Sequence, residues 1–225
     1  MLKKYKAFSL FFLILIIFQL IAAFYAVSII VNTINISSLL SLMVFFMIKT
    51  KLHGRFHKRL FTGLLFFMAS HLLLLFTGHF LTLSFICSLF GYLFYIRAFY
   101  LDFRSAQELD KNNARIAIGC CTVLGMGLYV FLRPYLGAMK IPIMLYIFIS
   151  CMMLMMAVFR NLRVNRESFI LIFAGSMLLL LSDSLLGVSK FLGTFPLAGM
   201  LITTIYMAAQ YLIIIGGVER KLINK

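Results

Sequence analysis

Eight long runs of apolar residues, separated by short polar gaps, cover most of the chain. An α-helix needs about 20 mainly apolar residues to cross a bilayer, and these runs are the candidates. The runs are 7–27, 34–48, 60–77, 80–101, 115–132, 141–159, 168–189 and 196–217. This pattern predicts an all-α fold, a polytopic membrane bundle of eight transmembrane helices that forms one integral membrane domain over residues 1–225.

Composition supports a membrane bundle rather than a soluble core. Of 225 residues, 64% are hydrophobic and 12% are charged, with a mean hydropathy of +1.07. No soluble domain of this size hides so much apolar surface in one core. Because the connections are short, any chemistry belongs to side chains inside the bundle or at its mouths. The four cysteines lie in apolar segments without C-x-x-C spacing, so we expect no metal site, and no cofactor is indicated.

Positive charge is divided unequally between the two ends of the segments. Seventeen Lys or Arg residues fall at the two termini and in the even-numbered connections. Only Arg133, Lys140 and Lys190 fall at the other end, while Arg97 lies near the basic end of the fourth segment. The positive-inside rule predicts that both termini are cytoplasmic. We separately expect the protein to lie in the plasma (inner) membrane of a bacterium. Charge spread along several edges fits anionic lipid headgroups, so no nucleic acid partner is expected.

One acidic residue, Asp183, lies inside a long apolar run that reads Ser176-Met-Leu-Leu-Leu-Leu-Ser-Asp-Ser-Leu-Leu-Gly187. The other five acids fall in what the pattern indicates are polar gaps: Asp102, Glu108, Asp110, Glu167 and Glu219. A carboxyl group at membrane depth costs about 2.5–3.5 kcal/mol on insertion scales, so it is interpreted first as a functional group facing a cavity or a partner. We therefore expect function around Asp183.

The two halves of the chain, about 1–112 and 113–225, align weakly at an offset of 112 residues. The offset matches three pairs of residues: Gly63 with Gly175, Ser70 with Ser182, and His71 with Asp183. It also matches the first four predicted helices with the last four in the same orientation. This predicts a 4+4 parallel internal repeat about an axis along the membrane normal.

The repeat makes His71 and Asp183 a candidate catalytic pair. Both would lie at one depth in the outer half of the bundle and would face each other across a central cavity. A proton shared through a hydrogen bond or a water molecule would lower the cost of keeping them there. The alternative for His71 is a neutral side chain bonded to a neighbouring helix. Lys190 follows Asp183 by two turns and is expected to reach the outer interface.

Polar side chains at helical spacing indicate further cavity-lining positions on the fourth and eighth segments: Ser84, Ser88, Tyr92, Tyr95, Thr203, Tyr206 and Gln210. From these and Ser182 we predict that Tyr92, Tyr95, Ser182, Tyr206 and Gln210 bind the substrate. The alternative is that such groups only bond across helices and stabilise packing, by about 0.6 kcal/mol on average. The sequence contains no G-x-S-x-G, H-E-x-x-H or P-loop motif, which disfavours serine-hydrolase, zinc-protease and nucleotide-driven mechanisms.

The seventh and eighth segments and the connection between them contain four further marks: Ser182-Asp-Ser184, the downstream Lys190-Phe191, Pro196 and the run Ala209-Gln-Tyr-Leu-Ile213. With these residues the chain resembles the YhhN family of eight-helix membrane proteins. The resemblance is strong in the second half and weak in the first. Characterised members of the family are lysoplasmalogenases, which hydrolyse the vinyl ether bond of lysoplasmalogens to a fatty aldehyde and a glycerophospho-headgroup. The resemblance implies that activity here, with a lipid or lysolipid as substrate.

The chain departs from the family pattern in the first half. Where the third helix of the family usually has a Gly-Asp pair, this chain has Ser70 and His71. Where the fourth often has Gly-His and a tyrosine three residues on, this chain has Gly91, Tyr92 and Tyr95. Two hypotheses follow. The first is a lysoplasmalogenase-like hydrolase of an ether lipid. The second is a family member without hydrolase activity that binds or moves a lipid or small amphiphile.

Overall fold

The computed structural model describes residues 5–25, 28–75, 81–105 and 111–223, and these form a bundle of eight α-helices. The helices are α1 (Lys6–Phe24), α2 (Ser28–Thr50), α3 (Gly54–Leu75), α4 (Leu81–Phe103), α5 (Lys111–Leu132), α6 (Lys140–Val158), α7 (Arg166–Phe191) and α8 (Ala198–Val218). The prediction of an all-α bundle of eight helices is therefore confirmed. The helices α2 and α7 extend beyond both ends of their apolar runs, because helical hydrogen bonding continues into polar residues beyond the hydrocarbon core, whereas α1 ends before its predicted run does and α8 begins after its run does.

Seven of these helices are long and apolar enough to cross a membrane. The exception among the described helices is α3, whose first two turns carry Arg55, His57, Lys58 and Arg59 and so lower its mean hydropathy. Most of the exposed large side chains of α1 and α5 are apolar, as expected of surfaces that face lipid. The chain is therefore an integral membrane protein.

Two helix pairs approach closely enough to require glycine. A Cβ atom on Gly63 of α3 would lie 2.5 Å from the ring of Tyr95 in α4. A Cβ atom on Gly175 of α7 would lie 2.8 Å from the carbonyl oxygen of Ala209 in α8. Small residues allow transmembrane helices to pack at such short distances. The pairs α3/α4 and α7/α8 therefore form two tight units that hold the polar side chains between them.

Several helix contacts agree with a duplication, but α1 packs against α8 without a comparably extensive contact between the equivalent α5 and α4 in the described residues. Besides the equivalent pairs α3/α4 and α7/α8, α4 packs against α6 and α8 packs against α2. At the 112-residue offset, these last two contacts are equivalent. Gly63 and Gly175 also occupy matching positions at the two close approaches. The 4+4 repeat remains a prediction, which superposition of residues 1–112 on 113–225 tests. A pairing of α7 with any helix other than α3 would contradict it.

The ends of the helices that carry most of the basic residues are closed by a buried charge cluster, and here one sequence interpretation was wrong. Asp102 is not in a polar gap but in the last turn of α4, with no solvent exposure. Its carboxylate accepts hydrogen bonds from Arg160 Nε at 2.8 Å and Arg220 Nε at 2.7 Å. Burial lowers the pKa of the Arg160 guanidinium, and Asp102 opposes this shift. The predicted gap residues Glu108 and Asp110 lie outside the described residues.

The same cluster joins four parts of the chain. Arg160 also donates to Ser168 at the start of α7, and Ser168 donates to the carbonyl of Gly216 near the end of α8. After α8, the chain pairs with the α6–α7 connection through an isolated bridge between Val164 and Leu222. This end of the bundle is therefore packed shut, which leaves the opposite end as the place for a cavity.

Candidate active site

Asp183 lies at the meeting point of three helices. One carboxylate oxygen, Oδ2, accepts a hydrogen bond from the hydroxyl of Tyr92 in α4 and another from the hydroxyl of Tyr146 in α6, the latter at 2.9 Å. The other oxygen, Oδ1, accepts no hydrogen bond from the described residues. Since the side chain lines a cavity, Oδ1 is the oxygen available to a bound molecule.

The cavity beside Asp183 has a volume of about 530 Å³. This lies within the range of roughly 300–1,000 Å³ that small-molecule pockets occupy. The prediction placed its walls on the third, fourth, seventh and eighth helices, and all four contribute, together with α2 through Asn32 and Asn35 and α6 through Tyr146. The walls are mainly apolar, with side chains such as Phe67, Leu74, Phe85, Leu186 and Ile202. The apolar walls can pack against an alkyl chain, and the polar side chains among them can hydrogen-bond to a few polar groups.

His71 lines the same cavity as Asp183. Its ring lies against Tyr206 of α8, with centroids 4.8 Å apart, and its Nδ1 atom is buried without a hydrogen-bond partner. Among the described residues, no hydrogen bond joins His71 to Asp183, whose bonds go to the two tyrosines. The predicted catalytic pair therefore shares a cavity without a hydrogen bond between the two side chains, and its catalytic role stays a prediction.

Of the predicted substrate-binding residues, Ser182 and Tyr206 line the cavity. Tyr92 is fully buried behind Asp183 and reaches the cavity only through that carboxylate. Tyr95 and Gln210 lie deeper, are fully buried, and bond to each other at 2.7 Å. Neither residue lines the cavity, although the ring of Tyr95 packs against that of Phe67, which does.

The serines on the cavity wall join helices. Ser70 bonds to both Ser84 and Ser88 at 2.8 Å, which links α3 to α4. Ser182 donates to the carbonyl of Ile202 at 2.9 Å, which links α7 to α8. These contacts agree with the alternative that such hydroxyl groups stabilise helix packing.

Sequence reasoning missed Tyr146, one of the two direct partners of Asp183. It lies in the predicted helix 141–159, where it interrupts a strongly apolar run with a hydroxyl group. That interruption was the available signal, because a buried tyrosine hydroxyl usually has a hydrogen-bond partner. Its partner could not be named from the sequence, since the two residues are 37 positions apart and on different helices.

The fold and the site together define a class: a polytopic helical membrane protein with one acid on the wall of a mainly apolar cavity. The family model of the YhhN family matches residues 30–217, which is most of the chain, so the protein belongs to the YhhN family. No curated protein and no solved structure gave a significant match. Among the described residues, no three His, Cys, Asp or Glu side chains are grouped as a metal site would require.

Proposed function

We propose that this protein is an intramembrane lipid hydrolase that cleaves the vinyl ether bond of lysoplasmalogens or a related ether lipid. The observation that supports this most directly is Asp183, an acid held by two neutral hydroxyl groups on the wall of a mainly apolar cavity. Vinyl ether hydrolysis needs a proton donor, a negative group beside a developing cation, and a positioned water molecule. One carboxyl group can provide the first two in sequence.

The reaction starts with transfer of a proton from Asp183 Oδ1 to the outer alkene carbon of the substrate. The C=C π electrons form the new C–H bond, and an oxygen lone pair forms the C=O bond of an oxocarbenium ion. Asp183 becomes a carboxylate beside that cation, so each charge is balanced by the other. The neutral carboxylic acid of the resting state also avoids the cost of an unbalanced charge at membrane depth.

Water then attacks the oxocarbenium carbon, and the imidazole of His71 accepts the proton that the water loses. The product is a hemiacetal. In the last step His71 returns that proton to the glycerol oxygen, Asp183 takes the hemiacetal hydroxyl proton, and the C–O bond breaks. One water is consumed, a fatty aldehyde and a free alcohol are formed, and both residues regain their starting protonation states.

The tyrosines hold Asp183 in place for this sequence. Because Tyr92 and Tyr146 both donate to Oδ2, the acidic proton is directed to Oδ1, on the free side of the carboxyl group. The same two bonds stabilise the carboxylate after proton transfer without a neighbouring cation, which would repel the oxocarbenium ion. Hydroxyl partners suit this chemistry better than an arginine or a lysine would.

The proposal is tested by aldehyde release from an alkenyl lysophosphoethanolamine by purified protein in detergent. Asp183→Asn should lower the rate by about 10²–10⁴-fold, as expected for loss of a general acid. Glu167→Gln makes the same chemical change on an exposed residue at the far end of α7, and should leave the rate unchanged. Equal rates for wild type and Asp183→Asn, with both proteins folded, would contradict the proposal.

His71 separates the hydrolase from the second hypothesis, a lipid-binding protein without hydrolase activity. His71→Ala should lower the rate by about 10²-fold if the imidazole accepts the proton of water. His71→Asp restores the acid of the family pattern and should keep or raise activity. A wild-type protein that releases no aldehyde but binds a saturated alkyl lysolipid would support the second hypothesis, more so if His71→Asp releases aldehyde.

For orientation, we propose that the basic ends of the helices face the cytoplasm of a bacterial cell, which puts both termini inside and the cavity in the outer half of the bundle. The seventeen-to-three distribution of Lys and Arg supports this. A fluorescent protein fused after Lys225 should fold and fluoresce. If instead alkaline phosphatase, which is active only in the periplasm, were active when fused at the same position, this orientation would be contradicted.

A further inference from the structure

We infer that Lys190 binds the phosphate group of the lipid substrate and thereby sets its depth, so that a bond one glycerol unit from the phosphate lies at Asp183. The inference rests on the proposed function, which names the reacting bond. It adds the residue that recognises the headgroup. It also adds a distance, between Asp183 and Lys190, that distinguishes glycerophospholipids from other vinyl ethers.

Lys190 is the one basic residue among those that line the cavity of the described structure, apart from the imidazole of His71. It lies in the last turn of α7, toward the mouth, and its side chain is exposed. Among the residues that the structure describes, it forms no hydrogen bond or ion pair. An ammonium group at the mouth and an apolar wall below it fit an amphiphile with an anionic head.

The spacing along α7 matches the substrate. Asp183 and Lys190 are seven residues apart, nearly two full turns, so they lie on the same face of the helix and roughly 10 Å apart along its axis. In a lysoplasmalogen, seven bonds of about 1.3–1.6 Å join the outer alkene carbon to phosphorus, which is roughly 9 Å when extended. With its alkene carbon at Asp183, the lipid therefore has its phosphate within reach of Lys190.

The simpler role for Lys190 is an interfacial anchor that reaches water without contacting a substrate. Lys140 provides a matched comparison for that role. It lies at the same end of the bundle, at the start of α6, is exposed, and lines no part of the cavity. An anchor effect should be similar for the two lysines, whereas phosphate recognition belongs to Lys190 alone.

The test uses binding rather than turnover, so that it stands apart from hydrolysis. Two saturated probes without a vinyl ether are compared on the purified full-length protein: hexadecyl lysophosphoethanolamine and hexadecylglycerol, which lacks the phosphate. Wild type should bind the phospholipid more tightly. Lys190→Gln should weaken phospholipid binding about fivefold and leave hexadecylglycerol binding unchanged, while Lys190→Arg should keep the difference. Lys140→Gln should behave as wild type.

Three outcomes would overturn the inference. In the first, Lys190→Gln weakens both probes equally, as a structural role would. In the second, Lys140→Gln and Lys190→Gln have the same effect, as general surface charge would. In the third, inorganic phosphate or glycerophosphoethanolamine, neither of which has an alkyl chain, competes with the probe as well as the lysolipid does. The phosphate group that Lys190 binds would then belong to a free ion or a soluble ester and not to a lipid. Failure of the proposed hydrolase function would give a different result. The probes would bind in the expected pattern, but the vinyl ether lipid would release no aldehyde.

Discussion

The two described carboxylates that lie within the bundle, Asp183 and Asp102, have opposite surroundings. Asp102 is fully buried at the basic ends of the helices and lies between two arginines in solid packing. Asp183 lies in the other half, receives hydrogen bonds only from neutral tyrosine hydroxyls, and lines a cavity of about 530 Å³. The same type of side chain is thus paired with cations and enclosed in one place, and bonded to hydroxyl groups and accessible in the other.

This difference separates a structural acid from a candidate catalytic one. A buried carboxylate with cationic partners compensates their charge, and removing it would leave those cations uncompensated. A carboxyl group with hydroxyl partners can gain or lose a proton, because its neighbours remain hydrogen-bonded in either state. Accessibility then decides whether the proton can go to a substrate. Asp183 has hydroxyl partners and lines a cavity, whereas Asp102 has neither feature.

The largest expected effect on folding is that of removing the charge of Asp102. Asp102→Asn leaves Arg160, which is fully buried, without a compensating carboxylate. Breaking a buried ion pair in this way costs about 3–5 kcal/mol of folding free energy. Asp183→Asn keeps an acceptor for both tyrosines and should cost about 1 kcal/mol or less. Unfolding of the two variants by denaturing detergent measures both values.

Equal destabilisation by the two substitutions would contradict the distinction between a structural Asp102 and a candidate catalytic Asp183, because the partners of each acid would then not determine its role. A folded Asp102→Asn variant that loses aldehyde release would break it in the other direction, since Asp102 would then affect the reaction from the closed end of the bundle. Melting curves of the same preparations used for activity distinguish these results.

A smaller effect is expected from the hydroxyl groups that hold Asp183. Tyr92→Phe and Tyr146→Phe keep the aromatic packing, in which the two rings meet edge to face with centroids 5.6 Å apart. Each should lower aldehyde release about tenfold, since a hydrogen bond to a charged group is worth about 1.5–3 kcal/mol. Tyr95→Phe is the control, because its hydroxyl bonds to Gln210 behind the cavity. Three equal rates would show that no specific support of Asp183 is involved.

A small effect on folding, and none on activity, is expected from Arg220, the second partner of Asp102. Its side chain is 14% exposed, so water can replace part of what the substitution removes. Arg220→Gln also leaves the Asp102–Arg160 pair in place, with one charge of each sign. We expect a cost of about 1 kcal/mol in the same unfolding measurement and no change in aldehyde release. A cost as large as that of Asp102→Asn would place the main stabilisation on Arg220 instead.

Much of this protein follows from its sequence alone. The lengths of the apolar runs determine the eight helices, because a bilayer requires about 20 apolar residues per crossing and satisfied backbone groups throughout. The position of Asp183 within one such run identifies a candidate site, since an acid at that depth is costly. Spacing along a single helix also places Lys190 on the same face as Asp183. Each of these inferences uses only local geometry.

What the tertiary structure alone decided is which distant residues meet. Tyr146 contacts Asp183 from 37 positions away, and Arg220 contacts Asp102 from 118 positions away. From the sequence, Asp102 falls in a polar gap because the fourth apolar run ends at residue 101, yet α4 continues and turns that carboxylate inward to two arginines. Helix packing angles and rotations decide such contacts, and they depend on side-chain fit over the whole bundle rather than on any period within one segment.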